Sequence, residues 1–270
     1  MSDNDYRRKI EEVSGDRMGF EVYEFIRPSH GPIILGASEA GVKGNASTGT
    51  VLTLHHSISA PMVWRQVRIL LNGGSAMLEP GALQYALGKM QIAVQKHEQK
   101  SNIFSRAMAS AGSGESGFAT RYEGVGEVWT EPTTKYFIAA SMDGPADALL
   151  LDDRAFYACE GTVAVKTHIH TSVQGLFAGN GFMQPKLEGR GAILVESPVP
   201  ANEIEEISLD GSQELIVDGD LMLMYSASLT VELKPLVRGL RNLYRSGEGL
   251  VYKIRGTGTV WLTPTARIGH

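Results

Sequence analysis

The amino-acid sequence predicts an all-β protein. In it, three internal repeats of about 65 residues would pack as one pseudo-threefold body, similar to a β-sandwich or a double-stranded β-helix, with short helices between strand pairs. Three observations lead to this prediction: a glycine motif that recurs at a nearly constant interval, short apolar runs typical of strands, and 31 glycines among 270 residues. Glycine at this frequency indicates many bends between short elements, because it readily adopts positive φ angles.

The recurring motif is Gly-x-Gly followed by an apolar run and a proline. It occurs as EGVGEVWTEP over 123–132, EGRGAILVESP over 188–198 and RGTGTVWLTP over 255–264. The second glycines, Gly126, Gly191 and Gly258, are 65 and 67 positions apart. A fixed period of this kind is the sequence signature of a repeat architecture.

Two further landmarks keep the same period. One is the glycine before an apolar run, at Gly117, Gly181 and Gly249. The other is a turn residue between two apolar runs, at Gly88, Asp153 and Gly219. The Gly-x-Gly elements are interpreted as turns that join strands, and Asp218-Gly219 is the strongest hairpin signal in the chain.

Other elements are predicted from periodicity. Short helices are expected around Leu236–Leu243 and Ile103–Met108, where apolar residues recur at helical spacing. Residues 1–61 lack the landmarks and are predicted to form an N-terminal extension with a strand at Gly19–Phe25 and a loop over Gly36–Gly49. The three-repeat domain is predicted to occupy 62–270.

Composition limits the classes of function. The net charge of −5 argues against a nucleic-acid binder, because phosphate binding depends on clustered basic residues. The single cysteine, Cys159, excludes an intramolecular disulfide, and its apolar surroundings predict a buried, unreactive thiol. No apolar run approaches the length of a membrane span, and the charged start does not resemble a signal peptide, so a cytoplasmic protein is expected.

A family resemblance rests on LLNGGSAMLEPGALQYALG over 70–88, on the repeated Gly-x-Gly segments, on LDGSQELIVDGDLMLMYSASLTVE over 209–232, and on SGEGLVYKIRGTGTVWLTP over 246–264. Over about Met62–Ile268 the chain resembles the mitochondrial-biogenesis family named for altered inheritance of mitochondria, which has many bacterial members. The resemblance implies a fold similar to that of the tryptophan RNA-binding attenuation protein. It also implies a link to membrane organisation, and it carries over no catalytic residue.

Candidate metal ligands are His168 and His170, which stand at i and i+2 and would share one side of a strand. With Gln174 they resemble the first metal motif of cupins, although a carboxylate usually replaces the glutamine. A third ligand would have to come from His55, His56 or His97. The alternative interpretation, an exposed pair of histidines, is favoured because a catalytic metal normally needs three protein ligands.

Three other motifs have structural interpretations. The G-x-G-x-x-G letters over 112–117 precede a strand-like run, whereas a dinucleotide site needs a helix there, so a turn is predicted. Arg238, Arg241 and Arg245 would form a basic stripe on a helix; this stripe either is solvated or contacts an anion or a membrane surface. Trp129, Leu194 and Trp261 occupy matching motif positions and are predicted to pack in a core or an interface.

The sequence therefore predicts a non-enzymatic scaffold or binding protein, with a role in membrane or envelope homeostasis and a peripheral membrane location implied by the resemblance. The alternative is a cupin-like, metal-dependent enzyme that uses His168 and His170. No cofactor is predicted. Strand-rich units with exposed edges favour a homo-oligomer, with a trimer as the first expectation, and a protein or membrane surface as partner.

Overall fold

The computed structural model describes residues 6–26, 63–96, 118–152, 154–170, 182–218, 221–235 and 250–264. These residues form almost nothing but strands, which confirms the all-β prediction for this part of the chain. The strands are β1 (Arg7–Ser14), β2 (Met18–Phe25), β3 (Arg65–Leu78), β4 (Leu83–Lys96), β5 (Phe118–Thr130), β6 (Tyr136–Asp143), β7 (Leu149–Leu151), β8 (Phe156–Glu160), β9 (Val163–His170), β10 (Phe182–Ser197), β11 (Glu205–Asp218), β12 (Met222–Ser226), β13 (Thr230–Pro235) and β14 (Leu250–Leu262).

All strands join one large antiparallel sheet. Its main order is β1-β2-β3-β8-β10-β7-β12-β14-β11, with β5 and then β4 attached to the other edge of β3. Strands β6 and β9 pair with β10, and β13 pairs with β14. The strand predicted at Gly19–Phe25 is β2, and the hairpin β1–β2 adds to the edge of β3.

The three Gly-x-Gly segments lie inside strands, so the prediction that they are turns joining strands is wrong. Gly126, Gly191 and Gly258 belong to the long strands β5, β10 and β14, which begin at Phe118, Phe182 and Leu250. Gly88 is likewise inside β4, with a φ of 130°. Because positive φ angles are costly for residues with a β-carbon, these glycines let a strand bend without interrupting its ladder.

The register of β14 shows how sharply such a strand bends. Val251 pairs with Asp218 of β11, while Leu262, eleven positions later, pairs with Met222 of β12. A straight strand would separate Val251 and Leu262 by about 36 Å. The four chain steps from Asp218 to Met222, with about 5 Å added for each of the two pairings, allow at most about 24 Å. The two halves of β14 must therefore fold back toward each other.

The hairpin predicted at Asp218-Gly219 does not form between its two flanking strands. β11 pairs with one edge of β14, and β12 pairs with the opposite edge, so β14 lies between them. The partner of each strand is the distant β14, whose 13 residues offer a longer ladder than the 5 residues of β12.

Three apolar clusters fill the space between the bent strands. The first surrounds Phe20, Ile69 and Leu194, the second surrounds Leu151, Ile193 and Leu223, and the third surrounds Tyr225, Ile254 and Val260. Each of these side chains is at most 1% exposed. Burying one such side chain contributes about 1.5–3 kcal/mol, so the clusters account for much of the fold's stability.

The predicted helices at Leu236–Leu243 and Ile103–Met108 and the predicted loop at Gly36–Gly49 lie outside the described residues, as do Asp153 and Gly219. The helical turns that the described ranges contain are 3₁₀ turns at Pro145–Asp147 and Ala201–Glu203. Within the same ranges, no helix has the length and apolar character needed to cross a bilayer.

Candidate binding face around Trp129

The outer face of the β1-β2-β3-β5-β4 part of the sheet carries a cluster of aromatic and cationic side chains. Trp129 of β5 lies opposite Arg68 of β3 on one side and opposite Tyr85 of β4 on the other. Tyr23 lies opposite Gln66, and Arg7 lies opposite Phe25. Side chains at paired positions point to the same side of a sheet. We call the resulting cluster of Arg7, Tyr23, Gln66, Arg68, Tyr85 and Trp129 the Trp129 face.

The rings of this face pack around the indole of Trp129. The ring centroids of Tyr23 and Tyr85 lie 5.3 Å and 6.1 Å from that of Trp129, and the Tyr85 ring is stacked on it. The guanidinium carbons of Arg7 and Arg68 lie 4.3 Å and 5.5 Å from the Trp129 centroid. Both are within the range of cation–π attraction, which contributes about 0.5–2 kcal/mol per pair.

Hydrogen bonds hold the cations in place. The Nη1 of Arg7 donates to Oε1 of Gln66 at 2.5 Å, and Nε2 of Gln66 donates to the carbonyl oxygen of Thr130 at 2.7 Å. Arg68 Nε donates to Glu127 at 2.6 Å. The indole Nε1 of Trp129 is buried and has no hydrogen-bond partner among the described residues. The Trp129 face is thus preorganised, and its outermost member, Tyr85, is 43% exposed.

Charges on the Trp129 face are balanced by acidic neighbours. Glu21 accepts hydrogen bonds from Tyr23 Oη at 2.9 Å and from Lys9 Nζ at 3.1 Å, and it forms an ion pair with Arg68 at 3.3 Å. Burial by itself would raise the pKa of Glu21, but these hydrogen bonds and the two cations hold the pKa of its carboxyl below the ordinary value. The face therefore presents aromatic and delocalised cationic groups without a large net charge.

The matching motif positions have different surroundings. Leu194 is fully buried in the first cluster, as predicted. Trp261 packs against the second cluster and donates to Glu206 at 3.2 Å. Trp129 is 8% exposed, covered by the other side chains of the Trp129 face. Arg7 and Tyr23 were not predicted from the sequence, because β1 shows no regular alternation and Tyr23 stands on the face of β2 opposite the buried Phe20 and Val22.

The predicted metal ligands lie on β9. His168 pairs with Gln184 of β10 and is half-buried, and His170 pairs with Phe182 at the end of the strand. The described part of the chain holds no group of three or more histidine, cysteine, aspartate or glutamate residues placed to bind a metal ion. The side chain of His170 lies outside what the structure describes, as do Gln174, His55, His56 and His97, so the metal site stays a prediction.

The other candidates from the sequence fall partly inside and partly outside the described residues. Cys159 is fully buried, which confirms the predicted burial of this thiol. Burial also raises the pKa of the thiol far above the ordinary value. The G-x-G-x-x-G segment over 112–117 lies outside the described residues, and the strand β5 follows it directly. Arg238, Arg241 and Arg245 also lie outside the described residues.

Comparison with known proteins agrees with the family resemblance. The family model described as mitochondrial biogenesis AIM24 matches residues 57–265. No curated protein matches. Among solved structures, the X-ray crystal structure of a protein from Streptococcus pyogenes is similar with a TM-score of 0.55 and 24% identity, and the match covers 77% of this chain and 91% of the other. At that identity the likeness concerns the fold.

Proposed function

This chain belongs to the mitochondrial biogenesis AIM24 family, and from that premise we propose that it is a non-enzymatic scaffold that binds a protein partner through the Trp129 face. Family membership assigns no reaction, so the proposal rests on the surface chemistry of this chain. Two strands of that surface, β1 and β2, precede the residues that the family model matches.

The observation that carries the proposal is the composition of the Trp129 face. Trp, Tyr and Arg are the residue types that dominate binding energy in protein interfaces. Here two tyrosines and two arginines surround one tryptophan, and hydrogen bonds to Gln66 and Glu127 hold the arginines. A partner that covers Tyr85 would bury apolar area at little cost in side-chain entropy, because the cluster is already ordered.

We further propose that the scaffold is a triplicated β module with approximate threefold symmetry and a fold like that of the tryptophan RNA-binding attenuation protein. Each of the long strands β5, β10 and β14 pairs on one edge with one preceding chain segment and on the other edge with a second. For β5 the two segments are β3 and β4. For β10 they are β6–β7 and β8–β9, and for β14 they are β11 and β12–β13. The shared arrangement and the 65-residue period support a single ancestral module.

The proposal also places the protein in the cytoplasm, as a homo-oligomer that acts at a membrane or envelope surface. The membrane link comes from what the family resemblance of the sequence implies. Arg238, Arg241 and Arg245 are the residues proposed to contact anionic head groups, because a basic stripe attracts them.

We expect the Arg7→Glu variant to lose its protein partner. The exchange removes the cation above Trp129 and places a carboxylate against the negative π face, so partner affinity should fall by about 30-fold or more, the loss of about 2 kcal/mol typical of an interface arginine. The measurement is quantitative pull-down from lysate of the native organism with the full chain as bait.

Arg8→Glu is the matched control for that experiment. It makes the same charge change one position away, on the opposite side of β1, where Arg8 is 67% exposed and pairs with Glu24. Equal recovery of the partner with the Arg7→Glu and Arg8→Glu variants would contradict the proposal, as would a bait that retains no protein.

The metal-dependent alternative has its own measurement. We expect elemental analysis of the purified full chain to give well under one equivalent of any transition metal and no change in a His168→Ala/His170→Ala variant, because a metal site normally needs a third ligand. One equivalent of metal in the natural protein, lost in that variant and kept in a His30→Ala control, would support the cupin-like enzyme.

A further inference from the structure

Two junctions inside the chain join its bent strands in the same way. At the first junction, Ala76, Met77 and Leu78 of β3 pair with Glu160, Cys159 and Ala158 of β8. At the second junction, Leu149, Leu150 and Leu151 of β7 pair with Ser226, Tyr225 and Met224 of β12. In both junctions, three residues from the first segment of one module pair antiparallel with three residues from the second segment of the next module.

The glycine motif identifies the third pair of segments in the same register. One strand of each junction is located by the residue four positions before the second glycine of a Gly-x-Gly motif. That residue is Tyr122, Leu187 or Ile254, and its partners are Ala76, Leu149 and Leu215. Leu215 therefore corresponds to Ala76 and Leu149. The other strand is located by the residue three positions after the same glycine. That residue is Leu194, Trp261 or Trp129, and its partners are Ala158, Met224 and Tyr85. Tyr85 therefore corresponds to Ala158 and Met224. The third junction would therefore join Leu215–Val217 of β11 to Tyr85–Leu87 of β4.

These two segments have free edges within the part of the chain that the structure describes. β4 pairs only with β5 there, and β11 pairs only with β14. Their sequences, YAL and LIV, carry no charge. By contrast the edge strand β1 is rich in charged residues, a common protection against unwanted pairing.

Exposure separates the third pair of segments from the other two. The central residues of the first two junctions are at most 6% exposed: Met77, Cys159, Leu150 and Tyr225. Their counterpart on β11, Ile216, is 46% exposed, and Ala86 on β4 is also exposed. Leu87, beside Ala86, is 56% exposed. Apolar residues are thus present where a junction would bury them, but none of the described strands covers them.

We propose that β11 of one copy of this protein pairs with β4 of a second copy, antiparallel, with Ile216 opposite Ala86. The two free edges are complementary halves of a junction that the chain already makes twice, which favours a second copy over an unrelated partner. Such head-to-tail pairing uses two different surfaces and closes into a ring when the rotation permits. The inference rests on the triplicated module of the proposed function.

Cysteine cross-linking tests the register directly. Directly opposed strand positions lie about 4.5–5.5 Å apart between Cα atoms, which suits a disulfide. The single variants Ala86→Cys and Ile216→Cys are purified, mixed and oxidised, and the products are separated without reductant. We expect a mixed disulfide at twice the chain mass. The native Cys159 is fully buried and should not compete.

The control replaces Ile216→Cys by Ile10→Cys, which introduces a thiol of similar exposure, 43%, on β1. A mixed disulfide with Ile216→Cys but not with Ile10→Cys supports the proposal. Equal yields in both mixtures overturn it.

An Ala86→Cys/Ile216→Cys double variant distinguishes failure of the second copy from failure of the module. If it forms only an intrachain disulfide, the junction closes within one chain, and the second copy is wrong while the triplicated module stands. If neither the mixture nor the double variant cross-links, the inferred register is wrong, and the triplicated module loses its support.

Light scattering supplies a measurement that does not depend on the thiols. We expect the natural chain to be an oligomer and the Ile216→Lys variant to lose it, because the new charge lies on the pairing edge. The Val125→Lys variant should keep it, since Val125 is similarly exposed on β5, whose two edges are already paired. A monomeric natural chain, or an unchanged mass for Ile216→Lys, overturns the proposal.

Discussion

The free energy of unfolding of the Gly126→Ala variant should be about 3–5 kcal/mol lower than that of the natural protein. A β-carbon at position 126 would overlap the carbonyl oxygen of Leu87 and lie 2.8 Å from the Cα of Gly88. The φ of 149° is also unfavourable for any residue with a β-carbon. Backbone strain costs about 1–3 kcal/mol and overpacking a similar amount, and the two effects add here because the clash is with backbone.

Thermal and urea unfolding measure this effect, and a shift in melting temperature of about 6–20 °C is expected for a chain of this size. Gly144→Ala is the matched control. Gly144 has an extended backbone and no atom within 4 Å of an added β-carbon, so its replacement should change the free energy of unfolding by less than about 0.5 kcal/mol. Equal stability of the two variants would contradict the role of Gly126 as the position where β5 bends against β4.

The Glu160→Ala variant should also lower the free energy of unfolding, by about 2–4 kcal/mol. Glu160 is 5% exposed, and its two carboxylate oxygens accept hydrogen bonds from the backbone N–H of Asp16 at 2.9 Å and of Ala192 at 3.1 Å. The substitution leaves both N–H groups without their acceptors and opens a cavity between β8, β10 and the β1–β2 turn. The N–H of Ala192 is buried, and a buried donor without a partner costs about 1–3 kcal/mol. Asp16 is exposed, so its N–H can bond to water instead, and the cavity supplies the rest of the loss.

Chemical denaturation of a graded series checks this assignment. Glu160→Gln keeps one acceptor oxygen but turns an amide N–H toward the other donor. Its free energy of unfolding should therefore lie between those of the natural protein and of Glu160→Ala. Glu205→Ala removes an exposed glutamate at the start of β11 and should leave stability within about 0.5 kcal/mol. If Glu160→Ala behaves like Glu205→Ala, the two backbone hydrogen bonds contribute little.

Much of the fold can be predicted from local signals. The all-β class, the strand at Gly19–Phe25 and the burial of Cys159 and Leu194 follow from apolar runs and alternation, because side-chain patterns report which face of a strand is buried. The family, too, was accessible from the EPGAL segment and the paired glycines.

The errors share one physical cause. A glycine pair and an Asp-Gly dipeptide indicate that the backbone can turn, but they do not say whether the ladder continues through the turn. At Gly126, Gly191 and Gly258 the ladder continues, because both edges of each long strand are held by partners on either side of the bend. At Asp218 the two flanking strands take opposite edges of β14.

The candidate site shows the same division. Trp129 stood out in the sequence as one of three matching large residues, whereas Arg7 and Tyr23 did not, since they are more than a hundred positions away in the chain. Their convergence follows from the pairing of β1 with β2, of β2 with β3 and of β3 with β5. No short-range pattern encodes the order of strands in a sheet.

Local sequence is enough to show that this chain forms strands, which residues of each strand are apolar, where the backbone is free to bend, and which family it belongs to. Those properties depend on near neighbours and on the side chains themselves. Three features become visible in the folded chain alone: the glycine pairs bend continuous strands, Arg7 lies over Trp129, and Ile216 and Ala86 lie on edges without a partner strand among the described residues. Each of these depends on contacts between segments far apart in the chain, and the free energy of such contacts is settled only when the whole sheet is assembled.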